Sequence, residues 1–106
     1  MPLLTTTGFF ATQNASRFLQ QLCKHFAHKL EVTFDEHSGA FQLSESPVSL
    51  TADPAGLHVT LTAPGPREVI DARYVIDKHL VIFAWREGFT GMDWQAPTGA
   101  AEATPD

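Results

Sequence analysis

One cysteine, one tyrosine and seven lysine or arginine side chains are all that this chain of 106 residues holds of those types, and each shortage removes a class of protein. A lone thiol cannot close an internal disulfide, so nothing in the cysteine count calls for an oxidising compartment. The seven basic residues are outnumbered by twelve acidic ones, for a formal charge of −5. Nucleic-acid binding draws most of its affinity from clustered Lys and Arg, which sets that role aside. Long apolar runs are also missing. The longest, Leu80 to Trp85, is far below the roughly 20 residues that a bilayer crossing requires. The opening Met-Pro-Leu-Leu-Thr-Thr-Thr has neither the charged nor the apolar segment of a secretory leader. The expectation is a soluble cytoplasmic protein without a membrane partner. No stretch matches a reaction-defining motif.

What remains is ordinary globular composition, 43% hydrophobic and 18% charged, long enough for one domain around one core. That domain is expected over residues 1–95. Residues 96–106 carry Pro, Gly, Ala, Thr and acid but no large apolar group, and are expected to be a disordered tail.

Leu4 to Ala11, rich in threonine and phenylalanine, reads as a strand weakened by Gly8. From Asn14 to Leu30 there is no Gly or Pro, and Phe18, Leu19, Leu22, Cys23, Phe26 and Leu30 recur at helical spacing. At about 100° per residue they fall on one arc of about 140°, which predicts an amphipathic helix. Thr12 or Asn14 can cap it. The period then changes to two. Val32 and Phe34 alternate with polar residues, His37-Ser38-Gly39 offers a turn, and Phe41 and Leu43 continue the alternation. A second hairpin sets Val48, Leu50 and Ala52 against Leu57, Val59 and Leu61 across Asp53-Pro54-Ala55-Gly56. Its other face carries Ser49, Thr51, His58, Thr60 and Thr62, so helices should cover only the apolar face.

After Pro64-Gly65-Pro66 a second helix is predicted to about Trp85, with Pro66 in the first turn and a core stripe of Val69, Ala72, Ile76, Leu80 and Phe83. Ile70, Tyr74 and Val81 form a further apolar stripe, which predicts a homodimer contact. Met92 and Trp94 are expected to tuck back onto the body. The fold class is α+β: a two-layer sandwich with an antiparallel sheet, two helices on one face, and the order β-α-β-β-β-β-α.

Chemistry-bearing residues concentrate in Cys23-Lys24-His25-Phe26-Ala27-His28-Lys29. Lys24, His25, His28 and Lys29 read first as cations complementing a helix C-terminus on a solvated face, second as a surface that binds an anion, and last as partial metal ligands. A metal is not expected, since two imidazoles at i,i+3 fall short of a ligand set. Cys23 and His25 point about 160° apart on a helix at about 100° per residue, so they cannot form a catalytic pair. Cys23 reads as a small core hydrophobe. The first helix holds Arg17, Lys24 and Lys29 without an acid, next to which Glu31, Asp35 or Glu87 could lie. His79-Leu80-Val81-Ile82-Phe83-Ala84-Trp85-Arg86-Glu87 closes the second helix. Its polar groups either satisfy the helix end or place His79 and Arg86 beside the first-helix histidines in a shared cleft.

The first stretch, followed by His79-Leu80-x-x-Phe83-Ala84-x-Arg86-Glu87 and a late Trp94, resembles a family of small bacterial proteins known as a domain of unknown function, DUF2218. The resemblance covers about residues 5 to 95. It implies a two-layer α+β fold and, because such members are often encoded beside siderophore-interacting flavin reductases and siderophore transporters, a link to iron acquisition. It implies no catalytic residues and no cofactor. The function expected is a non-catalytic binding or accessory module for iron-siderophore handling, with Lys24, His25, His28, Lys29, His79 and Arg86 as ligand-binding residues. An anionic small molecule or a siderophore-related protein is the partner expected. The alternatives are a homo-oligomeric interaction protein and a small enzyme using a histidine or Cys23.

Overall fold

Val48, Leu50 and Ala52 stand opposite Leu61, Val59 and Leu57, so the period-two pattern becomes a hairpin with its large apolar side chains on one face. The computed structural model describes residues 3–99. Its elements are β1 (Leu4–Ala11), α1 (Ala15–Phe26), β2 (Thr33–Phe34), β3 (Ser38–Leu43), β4 (Ser46–Asp53), β5 (Gly56–Ala63), α2 (Pro66–Ala84), β6 (Asp93–Trp94) and β7 (Thr98–Gly99). One turn of 3-10 helix, Trp85–Glu87, extends α2. The sheet runs β2-β3-β4-β5-β1-β6, with β7 beside the start of β1, and every pairing is antiparallel. This is the α+β fold expected, with two short strands added after α2. Among the described residues no helix is long and apolar enough to cross a membrane.

Side chains alternate across the sheet as the pleat requires. Phe41, Val48, Leu50, Leu57, Val59 and Leu61 are buried with Phe18, Leu19 and Leu22 of α1 and Val69, Ile76 and Leu80 of α2. Ser49, Thr51 and Thr60 are exposed on the other face, where the Thr5 and Thr62 hydroxyls meet at 3.3 Å. Thr6 is the exception among the threonines of β1. It lies opposite Leu61, is buried, donates to the Gln95 carbonyl (2.6 Å) and accepts from Arg73 Nη2 (2.7 Å).

Gly8 does not interrupt β1, where it pairs with Val59. A Cβ there would stand 2.7 Å from the Trp94 ring, so the missing side chain lets the indole lie on the strand. Trp94 is held by its Nε1–H donating to Asp77 Oδ2 (2.9 Å), and Met92 N–H donates to Asp77 Oδ1 (3.0 Å). The expected return of Met92 and Trp94 is therefore a strand, β6, anchored to α2.

Several boundaries differ from the sequence reading. The first helix ends at Phe26, not Leu30. The N–H groups of both Lys29 and Leu30 converge on the Phe26 carbonyl (3.0 and 2.8 Å), a tightening of the last turn that satisfies the free carbonyls of a helix end. The turn before β3 lies at Asp35–His37, because Asp35 Oδ1 accepts the N–H groups of His37 and Ser38, both at 2.8 Å. In α2, Ala84 takes the buried place expected of Phe83, which is half-buried, and Val81 packs against the core while Ile82 and Trp85 are exposed. Thr98 and Gly99 pair with Thr5 and Leu4. The rest of the expected tail, residues 100–106, lies outside the described residues.

Candidate functional site

The two helices bring three of the five histidines toward one another. His25 is on the last turn of α1 and His28 in the turn that follows it. His79 comes from the next-to-last turn of α2, and its ring centroid lies 4.8 Å from that of His25. Phe26 supports both, with its centroid 5.7 Å from His25 and 5.0 Å from His79, and Phe83 closes the side at 6.1 Å from His25.

A hydrogen bond fixes which nitrogen of His79 donates. Its Nδ1 is 2.7 Å from the Val75 carbonyl, and a carbonyl can only accept, so Nδ1 carries a proton and donates it there. The His25 imidazole is held below its ordinary value, first by desolvation and then by the nearby His79, His28 and Lys29. Both causes disfavour the charged form. The charged form of His25 is thus disfavoured where it faces His79 beside the Lys29 ammonium.

This unit opens into a cavity of about 410 Å³ lined by His25, Phe26, His28, Lys29, Leu30, Leu43 and His79. Leu30 and Leu43 also line a neighbouring cavity of about 410 Å³, whose lining includes Glu45, Glu68 and Asp71. Ser44, in the wall of that second cavity, has a left-handed φ of 54° in the tight turn between β3 and β4. Two cavities thus share Leu30 and Leu43, one lined by imidazoles and Lys29 and the other by carboxylates.

Of the six residues proposed from the sequence, four line this cavity and two do not. Lys24 lies along the other side of α1, in a shallow groove with Arg17, Gln20 and Gln21, because one residue along a helix is a rotation of about 100°. Arg86 sits over the Trp85 ring, 5.1 Å from its centroid, in the 3-10 turn beyond the helix. Sequence reasoning missed Leu43, which arrives from β3. Its alternation marked it as core, and no local signal distinguishes a core residue from the floor of a cleft.

Glu87 belongs to the other helix's start. Its Oε1 accepts the Thr12 hydroxyl (2.6 Å) and its Oε2 accepts Asn14 Nδ2 (2.5 Å). These bonds, with Arg17 nearby, hold the carboxyl below its usual range. It thus joins the 3-10 turn to the start of α1, where a helix dipole favours negative charge.

Cys23 is wholly buried, its Sγ pressed toward Gly39, and burial pushes the thiol up to about 11. A nucleophilic cysteine needs thiolate at working pH, so the thiol acts as a core hydrophobe. Among the described residues no three His, Cys, Asp or Glu side chains are grouped closely enough to hold a metal ion.

The family model described as "Uncharacterized protein conserved in bacteria (DUF2218)" matches residues 7–95. The NMR structure of PA4090 from Pseudomonas aeruginosa is similar at 28% identity, with a TM-score of 0.68, covering 90% of this chain and 96% of that one. No curated protein matches the sequence.

Proposed function

We propose that this chain, which belongs to the bacterial DUF2218 family, is a non-catalytic binding module whose ligand sits in the cavity of His25, His28, Lys29 and His79. The observation that carries the reading is the convergence of these nitrogens from two helices over Phe26, Leu30 and Leu43. A volume of about 410 Å³ is within the range of small-molecule pockets, which pair an apolar lining with a few placed polar groups. The ligand class that fits is an anion with a flat or aliphatic body: its charge meets Lys29 and the imidazole nitrogens, and its body lies on the leucines.

An iron-siderophore role agrees with that class, since the chelating oxygens of such molecules are anionic, and cytoplasmic handling of iron is its setting. The support for iron is the genomic company that the family resemblance implies. Enzymatic use of the site has less support: Cys23 is buried, and although the Val75 carbonyl orients His79, no hydroxyl, thiol or carboxylate is among the residues lining the cavity.

Anaerobic titration with ferric and ferrous catecholate siderophores, read by the imidazole signals of His25, His28 and His79 and accompanied by metal analysis, tests this. Binding should move those signals and weaken about tenfold in Lys29→Ala, as expected for loss of about 1.4 kcal/mol. Unmoved imidazole signals at millimolar ligand would rule the reading out.

A second reading, a homo-oligomeric interaction protein, is favoured by the exposure of Ile70, Tyr74, Ile82 and Trp85 on the outer side of α2. It is compatible with the first, because the cavity lies on the other flank of the same helix.

A further inference from the structure

One flank of α2 changes its chemistry along its length. Glu68, Asp71, Val75 and His79 follow one another at intervals of three, four and four, so they share that flank. The first three line the carboxylate cavity, and His79 lines the imidazole cavity. Leu30 and Leu43 line both, which makes the two cavities adjoining lobes along one helix. Asp71 and His79 stand about 12 Å apart along its axis, at about 1.5 Å per residue.

Carboxylates alone would be a solvated surface, and Glu68 in the first turn of α2 complements the helix dipole. Ser46 sets this lobe apart. It shares its face of β4 with Val48 and Leu50, is only 3% exposed and borders the lobe. Its hydroxyl opens on that space and makes no hydrogen bond to another group among the described residues, whereas a buried hydroxyl ordinarily has a partner. Glu45, from the turn before β4, and Asp71, from α2, reach the same lobe from two elements. The salt bridge among the described residues is His58–Asp53, so these carboxylates have no cation of their own there. No three candidate metal ligands are close enough to hold an ion among the described residues. The cation that fits is therefore organic.

We infer that the two lobes form one site for a molecule with an anionic group at one end of an aliphatic body and an ammonium at the other. The anion meets Lys29 and the imidazoles, the body lies on Leu30, Leu43 and Val75, and the ammonium donates to Ser46 Oγ and the carboxylates. Charge-assisted hydrogen bonds of this kind are stronger than neutral ones. The inference rests on the binding-module reading and specifies its ligand. The separation of the lobes excludes α-amino acids, whose two charged groups share one carbon.

Titration of the full chain with 8-aminooctanoate, octanoate and octylammonium, read by the imidazole signals of His25, His28 and His79 and by the Ser46 amide, tests it. The aminooctanoate should move both sets of signals and bind about tenfold more tightly than octanoate, the effect of about 1.4 kcal/mol. Asp71→Asn, at an exposed position, should remove most of that advantage and leave octanoate affinity unchanged. Ser46→Ala should reduce it with unchanged far-UV circular dichroism. Equal affinities for octanoate and 8-aminooctanoate, with the imidazole signals moving, would overturn the two-lobed site and leave the anion-binding reading standing. So would an advantage that persists when Glu45→Gln, Glu68→Gln and Asp71→Asn are combined. Imidazole signals unmoved by all three compounds at millimolar concentration would overturn both.

Discussion

His25 and His79, one from each helix, face one another with ring centroids 4.8 Å apart, and charge on His79 disfavours the charged form of His25. His25 is held below its ordinary value by desolvation and then by His79, His28 and Lys29. When a histidine binds protons less readily folded than unfolded, it leaves the fold unaffected above the unfolded value and destabilises it as pH falls through that value toward the folded one. With an unfolded value of about 6.5, the loss begins near that pH on acidification. The NMR titration midpoint of His25 should lie below 6.5 and move up in His79→Ala. The urea midpoint should fall less between pH 7.5 and 5 in His25→Gln than in the unmodified chain. A His25 midpoint identical in both proteins would show the coupling to be absent.

Gly39 and Cys23 define how closely α1 approaches the sheet. A Cβ on Gly39 would lie 2.6 Å from Cys23 Sγ, with Phe34 Cβ next at 3.3 Å. Gly39→Ala is expected to cost about 1–3 kcal/mol through overpacking, and much of that loss should return when Cys23→Ala removes the sulfur. Urea denaturation of the single and double variants measures the coupling, expected to exceed about 0.5 kcal/mol. Strict additivity would contradict the contact.

Asp77 ties the C-terminal strand to α2 through Met92 N–H and Trp94 Nε1–H. Arg73 adds a second tie to Thr6 and the Gln95 carbonyl. Asp77→Ala should destabilise the domain by about 1–3 kcal/mol, since both donors lose an acceptor. Hydrogen exchange at the Met92 amide and the Trp94 indole should accelerate while the β4–β5 amides stay protected. Equal protection at all these sites would assign the anchoring of β6 to packing alone.

The fold was legible wherever its cause is local. The β4–β5 hairpin appears with the register read from alternation, because a one-residue slip would turn Leu50 and Val59 into solvent. The turn is set by Asp53, whose carboxylate accepts the N–H groups of Ala55 and Gly56 (2.8 and 3.1 Å). The end of α1 was not legible. Leu30 continues the apolar spacing, yet the chain must leave the helix early to reach β2, and no Gly or Pro marks the place.

The candidate site divides the same way. That His25, His28 and Lys29 share a side of the chain follows from their spacing, and that His79 falls on the flank of α2 follows from its phase. Whether those two flanks meet depends on how the helices cross the sheet, which is decided by Phe26, Leu80 and their neighbours packing together. Lys24 carries the same charge as Lys29 and stands as near in sequence to a histidine, yet the helical rotation sets it in another groove, and the turn beyond α2 sets Arg86 over Trp85. The sequence by itself determined the elements, the buried face and the pairing of adjacent strands, because these depend on periodicity and on turns a few residues long. The tertiary structure alone decided that β6 would return to β1, that Asp77 and Arg73 would hold it there, and that Leu43 would become the floor beneath three imidazoles. Each of those depends on contacts between residues far apart in the chain, for which no local pattern exists.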